Sequence, residues 1–454
     1  MEKRSSFTGK LGFVLAAAGS AVGLGNIWRF PYLAAEYGGG IFLLVYIILA
    51  ITLGFSLMCA EIAIGRKTGK SAIEAFGVLN KKYSFVGWIA SIVPMLILPY
   101  YSVIGGWVIK YFYVFVSGGV QKAATDDYFV NFISSPIEPI GWFFLFMALT
   151  ALVVLLGVDK GIEKVSKIAM PVLIVLTIIV AVYSLTLDGA MAGLKYYLLP
   201  DFSKFSATTV LAAMGQLFYS MSIAMGIMIT YGSYMKKDVN LESSVKQIEI
   251  FDTGIAFLAG LMIIPAVFAF GGEEAVGKGA GLMFMTLPKV FESMAGGTII
   301  GAIFFLLVFF AAITSSISLM ETVVSVIIDK TKLGRKVTCL IVFIGSLLLG
   351  IPSALGNGEG PLSFIAIGEL KILDMFDALT NSIMMPIVAL LTCIFVGYVI
   401  KPKAIIEEIE ITKPFKMKTF FTIVIKYIAP ICIILILGFS IYELIGNALG
   451  VKTV

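Results

Sequence analysis

The sequence contains no histidine, few charged residues and only four cysteines. The absence of histidine excludes common zinc sites, histidine-based catalytic triads and histidine proton relays. Cys59, Cys339, Cys393 and Cys432 lie inside apolar runs without metal-ligand spacing, which is typical of small buried hydrophobic side chains. Because no catalytic motif is present either, we do not expect an enzyme.

Charged residues make up 13% of the 454 residues, whereas 59% are hydrophobic and the mean hydropathy is +1.02. So little charge excludes an ordinary soluble domain. Apolar runs of about 20 residues, long enough to cross a bilayer, recur along the chain, whereas a transmembrane barrel alternates over segments of about 10. We predict an all-α polytopic membrane protein, one transporter domain over residues 1–454, with about eleven transmembrane helices. These are spans 1 to 11, at residues 11–35, 40–65, 84–116, 140–157, 166–187, 207–234, 244–270, 297–328, 337–352, 374–400 and 420–445.

Lysine and arginine are concentrated before span 1 and after spans 2, 4, 6, 8 and 10, and are sparse in the alternate loops. The positive-inside rule therefore predicts a plasma (inner) membrane protein with a cytoplasmic amino terminus and an extracellular carboxyl terminus. The net charge of +5 does not indicate nucleic-acid binding, because the basic residues lie between apolar runs. Segment 271–296, between spans 7 and 8, is expected to be a short helical lid.

Two spans carry residues that a membrane helix does not need. Span 1 contains AGSAVGLGNIWRFP at 18–31, with three glycines, a proline, Asn26 and Arg29. Span 6 contains GQLFYSMSIAMGIMITYGSY from Gly215, where small and polar residues replace the expected leucine, isoleucine and valine. Packing of helices through small residues would explain Gly19 and Gly23. It would not explain Asn26 and Arg29, which favour a break in the helix.

Because the two interrupted spans are five apart, repeats at roughly 11–187 and 207–400 would have opposite orientations, with 420–445 as an additional helix. Inverted repeats with discontinuous helices 1 and 6 are typical of secondary transporters. In lipid, unwound backbone persists only where something binds it. Freed carbonyls can ligate sodium, and freed amides at a half-helix can hold a carboxylate. Glycine at 23 and 25 is expected to give the backbone the required freedom.

The motifs GSAVGLGNIWRFPY with Gly38–Gly40, GQLFYSMS, and FAAITSSIS at 310–318 closely resemble spans 1, 6 and 8 of the neurotransmitter:sodium symporter family. The resemblance covers essentially the whole chain and is strongest to bacterial amino-acid members with the leucine-transporter fold. It implies two Na⁺ sites. The first would use Ala21, Asn26, Ser220, a residue of span 7 and the substrate carboxylate. The second would use Gly19, Val22, Ala311, Thr314 and Ser315. Taken alone, Thr314 and Ser315 could instead bond back to their own helix.

The resemblance places Asp252 of span 7 where some relatives have asparagine. An acidic residue inside an apolar span is a functional candidate by default. Animal members bind chloride nearby, and we expect Asp252 to supply that negative charge, which would make transport chloride-independent. It could also take up a proton after sodium leaves. The alternative is that Asp252 caps its helix at the cytoplasmic rim.

The resemblance also implies a substrate site and two gates. Gly23 leaves room for a substrate carboxylate, which points to an amino acid, and an apolar pocket favours hydrophobic substrates, aliphatic or aromatic. The substrate-binding residues would be Ala21, Gly23, Gly25, Ile97, Tyr101, Tyr219, Ser220, Ser222, Met225, Ser315 and Leu319. The outer gate would be Arg29 with Asp377, helped by Gln216. The inner gate would be Arg4 with Asp329, braced by Tyr234, although Arg4 and Asp329 could equally be solvated surface charges. Glu61 and Glu321 are expected to partner polar backbone.

The sequence therefore predicts a sodium-coupled symporter that imports hydrophobic L-amino acids, as a monomer or weak dimer in the lipid bilayer, without a nucleic-acid partner. A receptor or a channel with the same fold is the alternative. A channel needs a continuous polar pore, whereas the polar residues here cluster at mid-depth. A receptor has no use for costly unwound backbone.

Overall fold

The computed structural model describes residues 6–271, 281–368 and 370–449. Most of these residues lie in helices, and the two β-strands, Ala366–Ile367 and Leu370–Lys371, form one short antiparallel pair. Within the described residues, nine helices are long and apolar enough to cross a membrane, and a bent pair in span 1 raises the number to ten. The expectation of an all-α polytopic membrane protein is confirmed.

The spans begin and end within eight residues of the predicted positions. Spans 2, 3, 4 and 5 are Gly40–Thr68, Lys81–Val116, Glu138–Leu155 and Val158–Leu185. Spans 7 to 11 are Leu241–Gly271, Gly297–Thr331, Arg335–Leu355, Ile372–Val399 and Lys418–Gly446. Shorter helices connect them: Ala72–Leu79, Val120–Ala123, Tyr128–Ser134, Ala190–Leu198, Leu287–Ser293 and Lys401–Ile409.

Spans 1 and 6 are the interrupted ones. Span 1 consists of Lys10–Ala21 and Gly25–Glu36, which meet at an angle of 50°. Span 6 consists of Ala207–Ser220 and Ile227–Tyr234. Helices of 14 and 8 residues are about 21 and 12 Å long, so neither is long enough to cross the bilayer alone.

In span 3, 78% of the most apolar stretch is buried, whereas in spans 4 and 11 the corresponding share is 33%. This places span 3 in the interior beside the two breaks, with spans 4 and 11 at the periphery. Part of the expected lid, 272–280, lies outside the described residues. The remainder contains the helix Leu287–Ser293. The ring of Phe284, which precedes this helix, stacks on the ring of Phe129. The described part of this loop is therefore helical and packed against the body of the protein.

Candidate substrate and sodium site

The two breaks meet at one small cavity. Ser20 in span 1 and Ser222 in span 6 have hydroxyl oxygens 3.1 Å apart, and the Ser222 hydroxyl donates to the Ser20 carbonyl at 2.9 Å. The cavity lining consists of Ser20, Ala21, Gly23, Leu24, Gly25, Ile97, Tyr101, Tyr219, Ser222, Met225, Ile227, Ser315 and Leu319. Ten of the eleven expected substrate residues are in this lining. Ser220 is not, and sequence reasoning missed Ser20, Leu24 and Ile227.

The glycines of span 1 provide space rather than an unusual backbone. Neither Gly23 nor Gly25 is among the residues with positive φ, so the expected conformational freedom is not what these positions require. A Cβ atom at Gly23 would lie 2.5 Å from the Ser315 hydroxyl and 3.0 Å from the Tyr101 hydroxyl. At Gly25 it would lie 2.7 Å from the Tyr219 ring. Both glycines therefore keep the cavity wall open.

The break in span 6 depends on left-handed backbone instead. Ser222, Ala224 and Gly226 have φ values of 53°, 65° and 72°. The left-handed region is unfavourable for residues with a Cβ, and such strain is typical of functional sites. Glu61 of span 2 stabilises this conformation, because its carboxylate accepts a hydrogen bond from the Ala224 amide at 2.8 Å. The expectation that Glu61 partners polar backbone agrees with this contact.

Asp252 is the centre of a buried polar cluster. Its Oδ1 accepts hydrogen bonds from Asn26 at 2.8 Å and from Ser220 at 2.7 Å. Its Oδ2 accepts one from the Tyr46 hydroxyl at 3.1 Å, and its carbonyl accepts one from Asn26 at 3.0 Å. Asp252 is fully buried and lies eleven residues after the start of span 7, so it is not a helix cap at the rim. Tyr46 lies in an unremarkable apolar run of span 2, and no local signal identified it.

A second cluster of oxygen atoms lies where span 8 crosses the break in span 1. The Ser315 hydroxyl is 3.4, 3.0 and 3.4 Å from the carbonyls of Gly19, Ser20 and Val22. Thr314 bonds back to its own helix, donating to Phe310 at 2.9 Å and to Ala311 at 3.1 Å. The Thr314 hydroxyl therefore bonds back to its own helix, whereas the Ser315 hydroxyl donates across to the carbonyls at the break in span 1. The five residues of the expected second site lie at this one crossing.

Arg29 and Asp377 line a second cavity, of about 300 Å³, beyond Tyr219. The Arg29 guanidinium lies 5.2 Å from the centre of the Tyr219 ring, and its Nη1 has no hydrogen-bond partner among the described residues. The Asp377 carboxylate accepts hydrogen bonds from Tyr100 at 3.1 Å and from Asn381 at 2.5 Å. The two charges interact electrostatically across the cavity without a direct hydrogen bond.

Gln216 contacts the backbone of span 1 rather than Arg29. Its amide nitrogen donates to the Gly25 carbonyl at 2.8 Å, and its amide oxygen is buried without a partner among the described residues. The expectation that Gln216 helps to place Arg29 stays a prediction, and the contact found here is with the backbone four residues before Arg29. The Gly25 carbonyl also accepts the Phe30 amide, so Gln216 adds a second hydrogen bond to this carbonyl.

The cytoplasmic gate is described only in part, because Arg4 lies outside the described residues. Asp329 accepts a hydrogen bond from the Ser71 amide at 2.8 Å. The Tyr234 hydroxyl donates to Glu321 at 2.8 Å, and Glu321 also forms a salt bridge with Arg335. Glu321 therefore partners two side chains rather than backbone, as a fully buried carboxylate beside a guanidinium would be expected to do.

Two broken spans around a central cavity, with freed backbone carbonyls and one buried carboxylate beside it, define a membrane transporter of the discontinuous-helix type. The chain matches the model of the Sodium:neurotransmitter symporter family over residues 4–126 and 130–450. It belongs to this family.

Individual relatives agree over almost the whole chain. An uncharacterized sodium-dependent transporter, YhdH, from Bacillus subtilis (strain 168) is 36% identical over 442 residues, covering 96% of this chain and 97% of the relative. The crystal structure of MhsT in complex with L-phenylalanine matches with a TM-score of 0.88 and 38% identity, covering 96% of this chain and all of MhsT. The sodium- and chloride-dependent GABA transporter 2 of Homo sapiens is 24% identical and covers 90% of this chain and 75% of that protein.

Proposed function

We propose that this protein is a sodium-coupled symporter that imports hydrophobic L-amino acids by alternating access. The observation that carries the proposal is the cavity at the two breaks, where apolar Ile97, Met225 and Leu319 line the same space as Gly23 and Gly25. The backbone of the break in span 1 and the Tyr101 hydroxyl would hold the amino-acid carboxylate, and the apolar wall would hold the side chain. The L-phenylalanine bound to the similar MhsT supports an aromatic or large aliphatic substrate.

Two sodium ions would accompany the substrate. The first would contact Ala21, Asn26, Ser220, Asp252 and the substrate carboxylate. The second would contact Gly19, Val22, Ala311, Thr314 and Ser315. Every one of these contacts uses an oxygen atom, the ligand that a hard cation prefers. Because the substrate carboxylate completes the first site, binding of substrate and sodium would be coupled directly.

Asp252 would make transport independent of chloride. Its carboxylate is a fixed negative charge beside the first sodium site, held by Asn26, Ser220 and Tyr46. It would therefore supply the charge that chloride supplies to the sodium- and chloride-dependent animal relatives, and would be free to take up a proton on the return step. Asp252→Asn or Asp252→Ser should produce chloride-dependent uptake. Uptake by both variants that does not respond to chloride would contradict this role.

Arg29 and Asp377 would close the outer side, and Arg4 and Asp329, with Tyr234, the inner side. Pairs of modest energy suit gates that must break in every cycle. The protein would lie in the plasma (inner) membrane, with the lysine-rich loops and the amino terminus in the cytoplasm and the carboxyl terminus outside.

The decisive experiment measures uptake of a panel of labelled L-amino acids into proteoliposomes with and without a sodium gradient. Saturable, sodium-dependent uptake of phenylalanine, leucine or methionine is expected. Flux that does not saturate would indicate a channel, and binding without flux would indicate a receptor. Uptake that is equally fast without sodium would contradict the symporter.

A further inference from the structure

A cavity lined by three lysines lies where span 10 ends and span 11 begins, away from the transport site. Its volume is about 570 Å³. Lys401 and Lys403 belong to the first turn of the helix Lys401–Ile409, and Lys426 projects from span 11. The other lining residues are Gly397, Tyr398, Pro402, Ile406 and Thr422. None of them has a role in the proposed transport mechanism.

Lys426 is an unusual residue for its position. It lies eight residues after the start of span 11, which is about 12 Å along the helix. Basic residues inside apolar spans are costly and normally face an anionic partner or a polar cavity. Within the described residues no carboxylate pairs with Lys426, and its ammonium instead lies 5.5 Å from the Tyr398 ring centre. Tyr398 is itself held by a 2.6 Å hydrogen bond to the Lys426 carbonyl.

The other two lysines leave the cavity positively charged. Lys403 is 3.9 Å from Glu407 with its side chain 86% exposed, so this ion pair is weak. Nearby carboxylates are engaged elsewhere, Glu408 by Arg66 and Lys237, and Glu410 by Lys418. The amino-terminal end of the helix Lys401–Ile409 adds a partial positive charge.

We propose that this cavity binds the phosphate headgroup of an anionic phospholipid. The charge of the lysines matches a phosphate, and they belong to the lysine-rich side of the protein, where basic pockets between spans favour anionic headgroups. Ile423, Tyr427 and Ile428 of span 11 are exposed and apolar, which suits acyl chains running along the helix. A soluble phosphate would match the charge but would leave this apolar surface uncovered.

The test uses purified full-length protein and measures binding of phosphatidylglycerol and phosphatidylcholine by native mass spectrometry. Phosphatidylglycerol is expected to bind more tightly. Lys401→Gln and Lys426→Gln should each weaken its binding about fivefold, the effect of one basic residue near an anionic headgroup. Lys426→Arg, which keeps the charge, should retain most of the affinity. The control Lys81→Gln with Lys82→Gln removes two exposed charges from the start of span 3, on the same lysine-rich side, and should have no effect.

Equal binding of the two lipids, or equal weakening by the control, would overturn the proposal. Glycerol phosphate that displaces phosphatidylglycerol at equal concentration would show a soluble phosphate site instead. The thermal unfolding midpoint of each variant in detergent shows whether it is folded. If Lys426→Gln does not fold, Lys401→Gln and Lys403→Gln provide the same comparison. The outcome does not depend on whether the protein transports amino acids.

Discussion

Replacing Gly25 by alanine should damage substrate binding by crowding the cavity wall. The added Cβ would lie 2.7 and 2.9 Å from two carbon atoms of the Tyr219 ring, and 3.7 Å from the Ser220 Cα. Carbon atoms pack best at about 3.5–4.0 Å, so the ring must move by roughly 1 Å. Tyr219 lines the cavity and lies against the Arg29 guanidinium, so its movement changes the binding site or the outer gate.

The magnitude follows from the cost of overpacking. Extra carbon atoms in a packed interior typically cost about 1–3 kcal/mol. If this strain falls on the closed, substrate-bound form, affinity should decrease roughly 5- to 150-fold. The assay is equilibrium binding of labelled phenylalanine to purified protein in sodium, with a smaller amino acid for comparison. The larger substrate should lose more affinity, because it needs more of the cavity.

Gly215→Ala is the matched control. It makes the same substitution in span 6, where an added Cβ has no neighbour within 4 Å. Affinity should therefore remain at the wild-type value. Equal affinities for wild type, Gly25→Ala and Gly215→Ala would refute the argument that the absence of a side chain at Gly25 sets the size of the cavity.

Three further predictions concern the supports of the site, each measured as a change in the thermal unfolding midpoint. Ala224→Gly should stabilise the protein by up to about 1 kcal/mol because it relieves left-handed strain at φ 65°, whereas Ala213→Gly in the helix before the break should destabilise it by about 1 kcal/mol. Glu61→Ala should cost about 1–3 kcal/mol because the buried Ala224 amide loses its acceptor, whereas the exposed Glu407→Ala should have little effect. Arg335→Met should cost about 3–5 kcal/mol because buried Glu321 loses its cation, whereas Lys403→Met should not change the midpoint. A lower midpoint for Ala224→Gly than for Ala213→Gly would contradict the strain at Ala224. A lower midpoint for a control than for Glu61→Ala or Arg335→Met would contradict the corresponding contact.

The membrane spans were predictable because the length of an apolar run reflects the thickness of the bilayer. The largest error is the start of span 5, predicted at residue 166 and found at Val158. The intervening VDKGIEKV is rich in charged residues but helical, with Glu163 buried and bonded to Lys167. Hydropathy detects where a helix lies in lipid and cannot detect where it continues into a polar environment.

The candidate site was predictable only where a motif identified it. Asn26, Asp252 and Ser315 are polar residues in apolar spans, and each lies in one of the two oxygen-rich clusters. Tyr46 and Tyr100 lie in ordinary apolar runs, yet their hydroxyls bond Asp252 and Asp377. These contacts join residues more than 200 positions apart, and no local pattern in either segment encodes them. The hydrogen bond from Gln216 to the Gly25 carbonyl is likewise encoded by no local pattern.

The two breaks look equivalent in the sequence, but they have different physical origins. In span 1 the backbone at Gly23 and Gly25 does not have positive φ, and the positions require glycine because side chains of other spans fill the space. In span 6 the side chains of Ser222 and Ala224 are accommodated, but the backbone of both residues is left-handed. Glu61 stabilises this backbone in part through its hydrogen bond with the Ala224 amide. Substitutions in span 1 should therefore act on the cavity and on substrate affinity, whereas substitutions in span 6 should act first on stability. Comparing both quantities for Gly25→Ala and Ala224→Gly separates a break that makes space from a break that stores strain.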